Sequence, residues 1–373
     1  MLTRLRKKID EIDRQMLALF EQRMDATKQV GAFKKANHLP VFVPEREKEV
    51  LKSRTEAVQN PEYKQATADF FAYIMALSRR QQQADMPLRP PHVGTLPHKR
   101  GAYLGRPGSY SEAALYTLLP QAEAALAADS FAGVLEKLKR GEADIAVLPV
   151  ENTSTGAIND VLDLLSTHHL YIAAELTLPV RHVLAAPKGA ALGDIQRVYS
   201  HPQGFLQCAE FLSKMGSPKQ IPMPSTADSA AFVAESQSAE NAAIASRHAA
   251  ELYGLAVLAE DIQSADTNTT RFIAVSRQPE TAPDANTVSL AFTLPHQSGS
   301  LHAALGVFAR HGLNLLYIAS RPLAGHNFEY LFFADVSANP QSKEVQAALD
   351  ELQHMAASLQ LLGCYHSNRG IGA

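Results

Sequence analysis

Residues 2–34 read LTRLRKKIDEIDRQMLALFEQRMDATKQVGAFK. Apolar residues recur at Leu2, Leu5, Ile9, Ile12, Met16, Leu19, Ala26, Val30 and Phe33, in steps of three, four and seven. That spacing draws one apolar stripe along a long helix, a coiled-coil-like seam. After Leu19 the next inward position is Arg23, the one charged residue in the row. A guanidinium set among apolar neighbours needs an anion, because burying it alone is costly. Lys34 follows about three turns later, roughly 16 Å along the same face. Arg6 lies roughly 42 Å from Lys34 on the same helix, so the two share a site only if two chains pair. A helix of about 50 Å is also too long for so short a segment to cover alone. The reading is a helical homodimer or higher homo-oligomer with buried cations. Helices over about 45–58 and 62–84 follow. Arg46 and Glu47 open the second, and Ser78 and Gln82, four residues apart, share a face of the third.

The rest of the chain sets bounds. Its 373 residues suggest two to four domains. Hydrophobic residues at 46% and charged residues at 20% argue against global disorder. Residues 1–100 carry a net charge of +7 and the remainder −10. Arg23 sits in a seam and not on an outer stripe, so no nucleic-acid partner is expected. No apolar run is long enough to span a bilayer, which predicts no membrane partner. The basic start leads into no apolar stretch, and Cys208 and Cys364 are the only cysteines, so a cytoplasmic setting is expected. The 14 histidines show no ligand spacing, so neither a metal nor a cofactor is expected.

Two proline-rich polar stretches, MPLRPPHVGTLPH at 86–98 and RQPETAPDAN at 277–286, read as connectors. Between them strand-like runs alternate with helical ones: Ala102–Leu104, Ile145–Val150, Val183–Ala185, Val198–Ser200, Ala243–Ala245 and Phe272–Val275. Such alternation implies an α/β sheet with crossover helices. Beyond 285 the order is β-α-β-β-α-β, which is ferredoxin-like. Four loops are rich in small polar residues: GRPGSYSE (105–112), ENTSTGAI (151–158), YSHPQ (199–203) and ADTNTTRF (265–272). Each alone reads as a turn or helix cap. Together, three of them leaving strands toward helices, they point to a ligand site.

At LRKKID, EQRMDATKQVGAFK, PEREKEVL and LSRRQQ the first segment resembles the all-helical chorismate mutase family. The resemblance implies that Arg6 (from the partner chain), Arg23 and Arg46 hold the two carboxylates of chorismate. It implies that Lys34 and Gln82 donate to the ether oxygen, while Glu47 and Ser78 bind polar groups of the ring and side chain. A pericyclic rearrangement fits such a site, since it needs a fixed conformer and electrostatic stabilisation but no nucleophile. Val43 stands where many relatives have Asp.

At GRPGSYSEAAL, VLPVENTSTGAIND, YSHPQGF and the TRF of Thr270–Phe272 the middle segment resembles prephenate dehydratase. The resemblance implies a bilobal, periplasmic-binding-like α/β fold. Residues 99–177 with 261–278 would form one lobe and 178–260 the other. Thr270 is implied as donor or relay of the proton that the departing hydroxide needs, with Glu151 or His201 assisting. Asn152, Thr153, Ser200 and Gln207 are implied as lining residues. Arg271 is implied as a carboxylate ligand or a brace for the loop, and Phe272 as a substrate-binding residue of the cleft.

At SGSLHAALGVFARHGLNL and SRPLAGHNFEYLFFADV the last segment resembles the ACT amino-acid-sensing domain. That implies effector contacts at Gly299, Ser300, Leu301, Ser320, Arg321 and Pro322, with Ala319 where relatives have Glu. The expected chain is multidomain: an all-α mutase over 1–85, a linker over 86–98, a dehydratase over 99–278 and an ACT domain over 285–366. Its substrates are chorismate and prephenate, and its effector is L-phenylalanine. The alternative is a dehydratase whose helical segment serves only dimerisation or regulation.

Overall fold

The computed structural model describes residues 1–37, 44–84, 99–168, 170–265, 267–282, 284–323 and 329–367. Val43, the 86–98 linker and the side chain of Glu47 lie outside the described residues. The chain groups into two compact units, residues 1–89 with 292–313 and 342–360, and residues 90–291 with 314–341 and 361–373.

The first unit opens with three helices, α1 (Leu2–Ala36), α2 (Pro44–Glu56) and α3 (Lys64–Ala84). α1 runs 35 residues without proline and with one glycine, Gly31. Its apolar seam is exposed at both ends, Val30 at 47% and Phe33 at 63% included, and the buried positions near its C-terminal end lie beside the seam. Leu2, Leu5, Ile9, Ile12, Met16 and Leu19 are each at least 45% exposed. Near its end Thr27 and Gly31 are buried. Among the described side chains of α3, Ile74, Met75, Ser78 and Gln82 are buried, a spacing that makes one face. Gly31 marks where α1 and α3 approach closely: a Cβ there would stand 3.0 Å from Gln82 Cγ.

In the second unit the chain order is β1 (Arg100–Leu104), α4 (Tyr110–Leu118), β2 (Ala124–Ala128), α5 (Phe131–Lys139), β3 (Ile145–Asn152), β4 (Gly156–Ala157), α6 (Asn159–His168) and β5 (Tyr171–Pro179). There follow β6 (Val183–Ala186), β7 (Arg197–Ser200), α7 (Pro202–Gln207), α8 (Ala209–Lys214), β8 (Lys219–Pro222), α9 (Thr226–Ser236), β9 (Asn241–Ala245), α10 (Arg247–Leu252), β10 (Ala256–Ala259) and β11 (Thr269–Ser276). One sheet has the order β2-β1-β3-β11-β5, with β4 on β3, and a second has the order β10-β6-β9-β7-β8. β1, β2 and β3 run parallel, and β11 lies antiparallel between β3 and β5. β3 is buried throughout Ile145–Val150, as a strand covered on both faces must be. Serines start many of the helices: Ser109, Ser130, Ser225 and Ser246 each accept a first-turn amide.

The last elements are β12 (Thr287–Thr293), α11 (Ser300–Arg310), β13 (Asn314–Pro322), β14 (Tyr330–Ser337), α12 (Lys343–Met355) and β15 (Ser358–Tyr365). Their strands form a sheet of order β13-β14-β12-β15. Within the second unit, Ala291, Phe333, Leu362 and Tyr365 of these strands join the apolar cluster of Ala102, Leu148, Leu165, Ile273 and Val275.

Candidate active sites

In the helical segment Arg23 is half-buried and donates from Nη1 to Ser78 Oγ at 2.5 Å. Ser78 Oγ in turn donates to the Ile74 carbonyl at 2.8 Å. Burial draws the Arg23 pKa below its ordinary value. Its partner among the described residues is a neutral hydroxyl. Gln82 is 7% exposed, and its Oε1 has no hydrogen-bond partner. A buried amide oxygen in that state costs free energy unless a ligand or water meets it. Arg23, Ser78 and Gln82 therefore converge on one α1–α3 face, while Lys34 is half-buried farther along α1. Arg6 and Arg46 stay exposed, the latter paired with Glu49 at 3.3 Å. One chain does not bring Arg6 to this face, because α1 is a single continuous helix.

The second candidate site is a stitched pair of segments. β11 lies against β3 with Thr270 opposite Asn152 and Arg271 opposite Glu151. Asn152 Nδ2 donates to Thr270 Oγ1 at 2.8 Å and to Asn268 Oδ1 at 3.0 Å. As acceptor in the first bond, Thr270 keeps its own proton for another partner. Thr153 Oγ1 donates to the Thr267 carbonyl and accepts from Thr269 N, at 2.9 and 3.0 Å. Ser154 Oγ donates to Asn268 Oδ1 at 3.1 Å. Asn268 is 4% exposed and its Nδ2 has no partner, so this buried donor borders Thr270 unmatched. Asn268 was not singled out from the sequence; its position two residues before Thr270, on the same side of an extended segment, is the signal that finds it.

Other expected lining residues have structural tasks. Ser200 is fully buried and donates to the Ile244 carbonyl at 3.2 Å. Gly204 lies so close that a Cβ would stand 2.4 Å from Ser200 Oγ. His201 is exposed and caps α7 by accepting from Gln203 N at 3.2 Å. Gln207 bonds His182 Nε2 at 2.8 Å, in a segment joining the two sheets. His182 is 2% exposed, and burial holds its pKa below the usual histidine value. Phe272 is core, packed with Tyr103, Leu115 and Val147, so it supports the strand instead of lining a cleft. Arg271 faces the opposite side, where Glu175 and Asp335 each approach it at 2.7 Å.

The GRPGSYSE loop links the two sheets. Ser246 Oγ donates to the Gly108 carbonyl at 3.1 Å, and Tyr253 OH to the Pro107 carbonyl at 2.8 Å. Gly108 has φ +91°, and a Cβ there would press on Ala249 at 3.1 Å, so only glycine fits. Glu112 Oε2 accepts from Gly108 N at 2.6 Å and holds the turn closed. Among the described residues no cluster of His, Cys, Asp and Glu is able to hold a metal, and no helix is long and apolar enough to cross a membrane.

Comparison with known proteins bears on both sites. The family model for chorismate mutase type II matches residues 5–83, and that for prephenate dehydratase matches residues 102–280. The bifunctional chorismate mutase/prephenate dehydratase of Escherichia coli (strain K12) is 36% identical over 378 residues, covering 98% of this chain and 96% of the relative. The chain belongs to the bifunctional chorismate mutase/prephenate dehydratase family. Among solved structures, the Arthrobacter aurescens prephenate dehydratase in complex with L-Phe has a TM-score of 0.66 and 33% identity, covering 72% of this chain and 90% of that one. The quorum-quenching acylase GqqA gives the same TM-score and identity over 72% of this chain and 98% of its own.

In this member of the family the C-terminal residues expected to meet an effector are spread over two elements. Gly299 stands before α11 with φ +83°, and Ser300 and Leu301 form the first turn. Ser320, Arg321 and Pro322 end β13. Arg321 grips Asp163 of α6 with two bonds, Nε to Oδ1 at 2.8 Å and Nη2 to Oδ2 at 2.6 Å. Asp163 is held below the usual carboxylate range by that guanidinium.

Proposed function

We propose that the chain is a bifunctional enzyme of phenylalanine biosynthesis that rearranges chorismate to prephenate and then converts prephenate to phenylpyruvate. The observation that carries this reading is the coexistence, in one chain, of two sites of different chemistry. The α1–α3 face has a desolvated cation and a buried unmatched amide oxygen. The cation of such a surface selects a conformer of a dianion and stabilises charge that grows as a C–O bond breaks, while the amide oxygen is free to accept from a hydroxyl. A pericyclic step asks for no base or nucleophile. Arg23, Arg46 and the partner chain's Arg6 are proposed carboxylate ligands. Lys34 and Gln82 are proposed partners of the ether oxygen, with Glu47 and Ser78 on the polar groups of the ring and side chain.

The Thr270–Asn152 pair supports the second step. The ring-to-carboxylate bond breaks and its electron pair enters the ring. The ring C–O bond breaks as its oxygen gains a proton, so carbon dioxide and water leave and the ring becomes aromatic. Thr270, oriented by Asn152, is the proposed donor or relay. A threonine hydroxyl is a weak acid, so Glu151, opposite Arg271 at the end of β3, is its proposed assistant.

We infer domains over 1–85, 99–278 and 285–366. The strand order β13-β14-β12-β15 and the β-α-β-β-α-β chain order support a ferredoxin-like ACT domain for the last. L-phenylalanine is the proposed effector, since a related dehydratase was solved with it. Ala319 supplies no carboxylate at a position where relatives carry Glu, so Ala319→Glu should tighten phenylalanine binding in a calorimetric titration. The exposed seam of α1 supports a dimer in which Arg6 crosses to the partner. The test of function supplies chorismate and prephenate separately to purified protein. Turnover of prephenate alone would reduce the helical segment to assembly, and turnover of neither would end the proposal.

A further inference from the structure

Arg271 follows Thr270 directly, yet it looks the other way. β11 alternates, so Arg271 shares a face with Ile273 and Val275, which pack against Ala291, Phe333, Leu362 and Tyr365. Its side chain is 7% exposed. Nε donates to Glu175 Oε2 at 2.7 Å. Nη2 reaches Asp335 Oδ2 at 2.7 Å and donates to Tyr365 OH at 3.0 Å. The guanidinium also lies 5.5 Å from the centre of the Tyr317 ring.

The partners are themselves tied. Glu175 Oε1 accepts from Ser367 Oγ at 2.6 Å. Asp335 Oδ1 accepts from Ser289 Oγ, which also bonds Tyr365 OH at 2.7 Å. Both carboxylates have side chains no more than 7% exposed. Burial opposes the charge on Arg271, but Tyr365, Asp335 and Glu175 together raise its pKa, so it stays a cation.

Two features argue against a substrate carboxylate at this guanidinium. Nε and Nη2 already meet buried oxygens while Nη1 lies 4.0 Å from Glu151 Oε2, and three carboxylates around one cation disfavour a further anion there. A third feature points to a different task. The β11–β3 ladder shifts register between Arg271 and Phe272, so Thr270 and Arg271 lie beyond a bulge. The bulge interrupts only the β3 side; on the other side β5 pairs Thr270 with Leu178 and Arg271 with Thr177 in regular register, so the Arg271 contacts add a side-chain anchor to the backbone pairing where the β3 ladder is irregular.

We propose that Arg271 is a positioning residue of the dehydratase, anchored by Asp335 and Tyr365, through which the C-terminal sheet fixes Thr270. This rests on the dehydratase reading of Thr270. Thr270 and Arg271 have Cα atoms about 3.8 Å apart, so a shift of the guanidinium moves the hydroxyl. Asp335 and Tyr365 belong to β14 and β15, outside the matched dehydratase segment of 102–280. Turnover of prephenate thus depends on residues of the proposed sensing domain, which gives an effector there a short route to the chemistry.

The experiment uses the full chain and three variants, Asp335→Asn, Arg271→Lys and the double variant, with kcat and KM measured on added prephenate. Mutase turnover and thermal unfolding check folding. Asp335→Asn should lower kcat by about 10- to 100-fold, the scale of a small misplacement, while KM changes less than about 3-fold. Arg271→Lys should do the same, and the double variant should lose little more than Arg271→Lys alone, because the two act through one contact. A rise in KM with kcat held in Arg271→Lys would make Arg271 a substrate ligand and overturn the proposal. Additive losses would also overturn it. If Asp335→Asn does not fold, Tyr365→Phe decides: it removes one oxygen and should lower kcat with KM held, and wild-type kcat would overturn the proposal. A wild-type chain inactive on prephenate overturns the dehydratase reading and this inference with it. An active wild type with unchanged Asp335→Asn overturns the inference alone.

Discussion

The helical site and the Thr270 site solve different problems with different amounts of structure. Among the described residues around Arg23 the polar contacts include its bond to Ser78, the bond of Ser78 to the Ile74 carbonyl and an unmatched amide oxygen, and burial lowers the pKa of the cation. Around Thr270 the contacts are many, Asn152 to Thr270 and Asn268, Thr153 to Thr267 and Thr269, Arg271 to two buried carboxylates, with Asn268 Nδ2 left unmatched. A rearrangement without proton transfer asks for charge and shape, which a bare face provides once a ligand arrives. A proton relay asks for a hydroxyl held in one orientation, and that takes a network.

The sharpest way to break the contrast is at Arg23. Arg23→Ala should lower mutase turnover by about 10²- to 10³-fold, the scale of a lost electrostatic donor. Dehydratase turnover on added prephenate should stay near wild type. Comparable loss of both in a folded variant would show that the two sites are not chemically separate. Thr270→Ala should cost the dehydratase about 10²-fold in kcat, the scale of general acid catalysis. Thr270→Ser keeps the hydroxyl that Asn152 orients and should retain more activity. Equal rates in both variants and wild type would remove Thr270 from the mechanism.

The two sites were also unequally legible. Arg23, Ser78 and Gln82 follow from helical spacing, because local periodicity decides which face a residue takes. β3 was plain from its unbroken apolar run, and the helices over 64–84, 300–310 and 343–355 fall within a few residues of expectation. β2 escaped because AALAA has the composition of a helix. β8 escaped because KQIP is a short, largely exposed edge strand. Phe272 was expected beside substrate and lies in the core, since burial on a strand depends on what covers each face. Glu175 and Asp335 were invisible around Arg271: nothing in the chain near either announces a partner so distant in sequence.

The smaller effects probe assembly. Arg6→Ala and Lys34→Ala chains should each lack mutase activity. Mixed and refolded, they should recover about a quarter of wild type, because half the dimers are mixed and each has one intact site of two. No recovery in demonstrated heterodimers would place Arg6 outside the site and leave the exposed α1 seam as a dimer surface only.

The smallest expected effect concerns Arg321 and Asp163. Their bidentate pair joins β13 to α6, with side chains 25% and 46% exposed. Solvent screens a pair so placed, and its worth should not exceed about 1 kcal/mol despite good geometry. Asp163→Asn should therefore lower the unfolding midpoint of the unit that holds it by about 2–4 °C at neutral pH. The sign with pH follows from the depressed pKa of Asp163. The stabilisation is fully present above the unfolded carboxyl value of about 3.9 and is lost as pH falls through the lower folded value. The gap between wild type and Asp163→Asn should accordingly hold from pH 7 to about 5 and close in stronger acid. Scanning calorimetry across that range checks it. A gap that persists in acid would mean that Asp163 acts through packing rather than charge. A drop much larger than that at neutral pH would make this pair, like the Arg271 cluster, a main tie of the C-terminal strands.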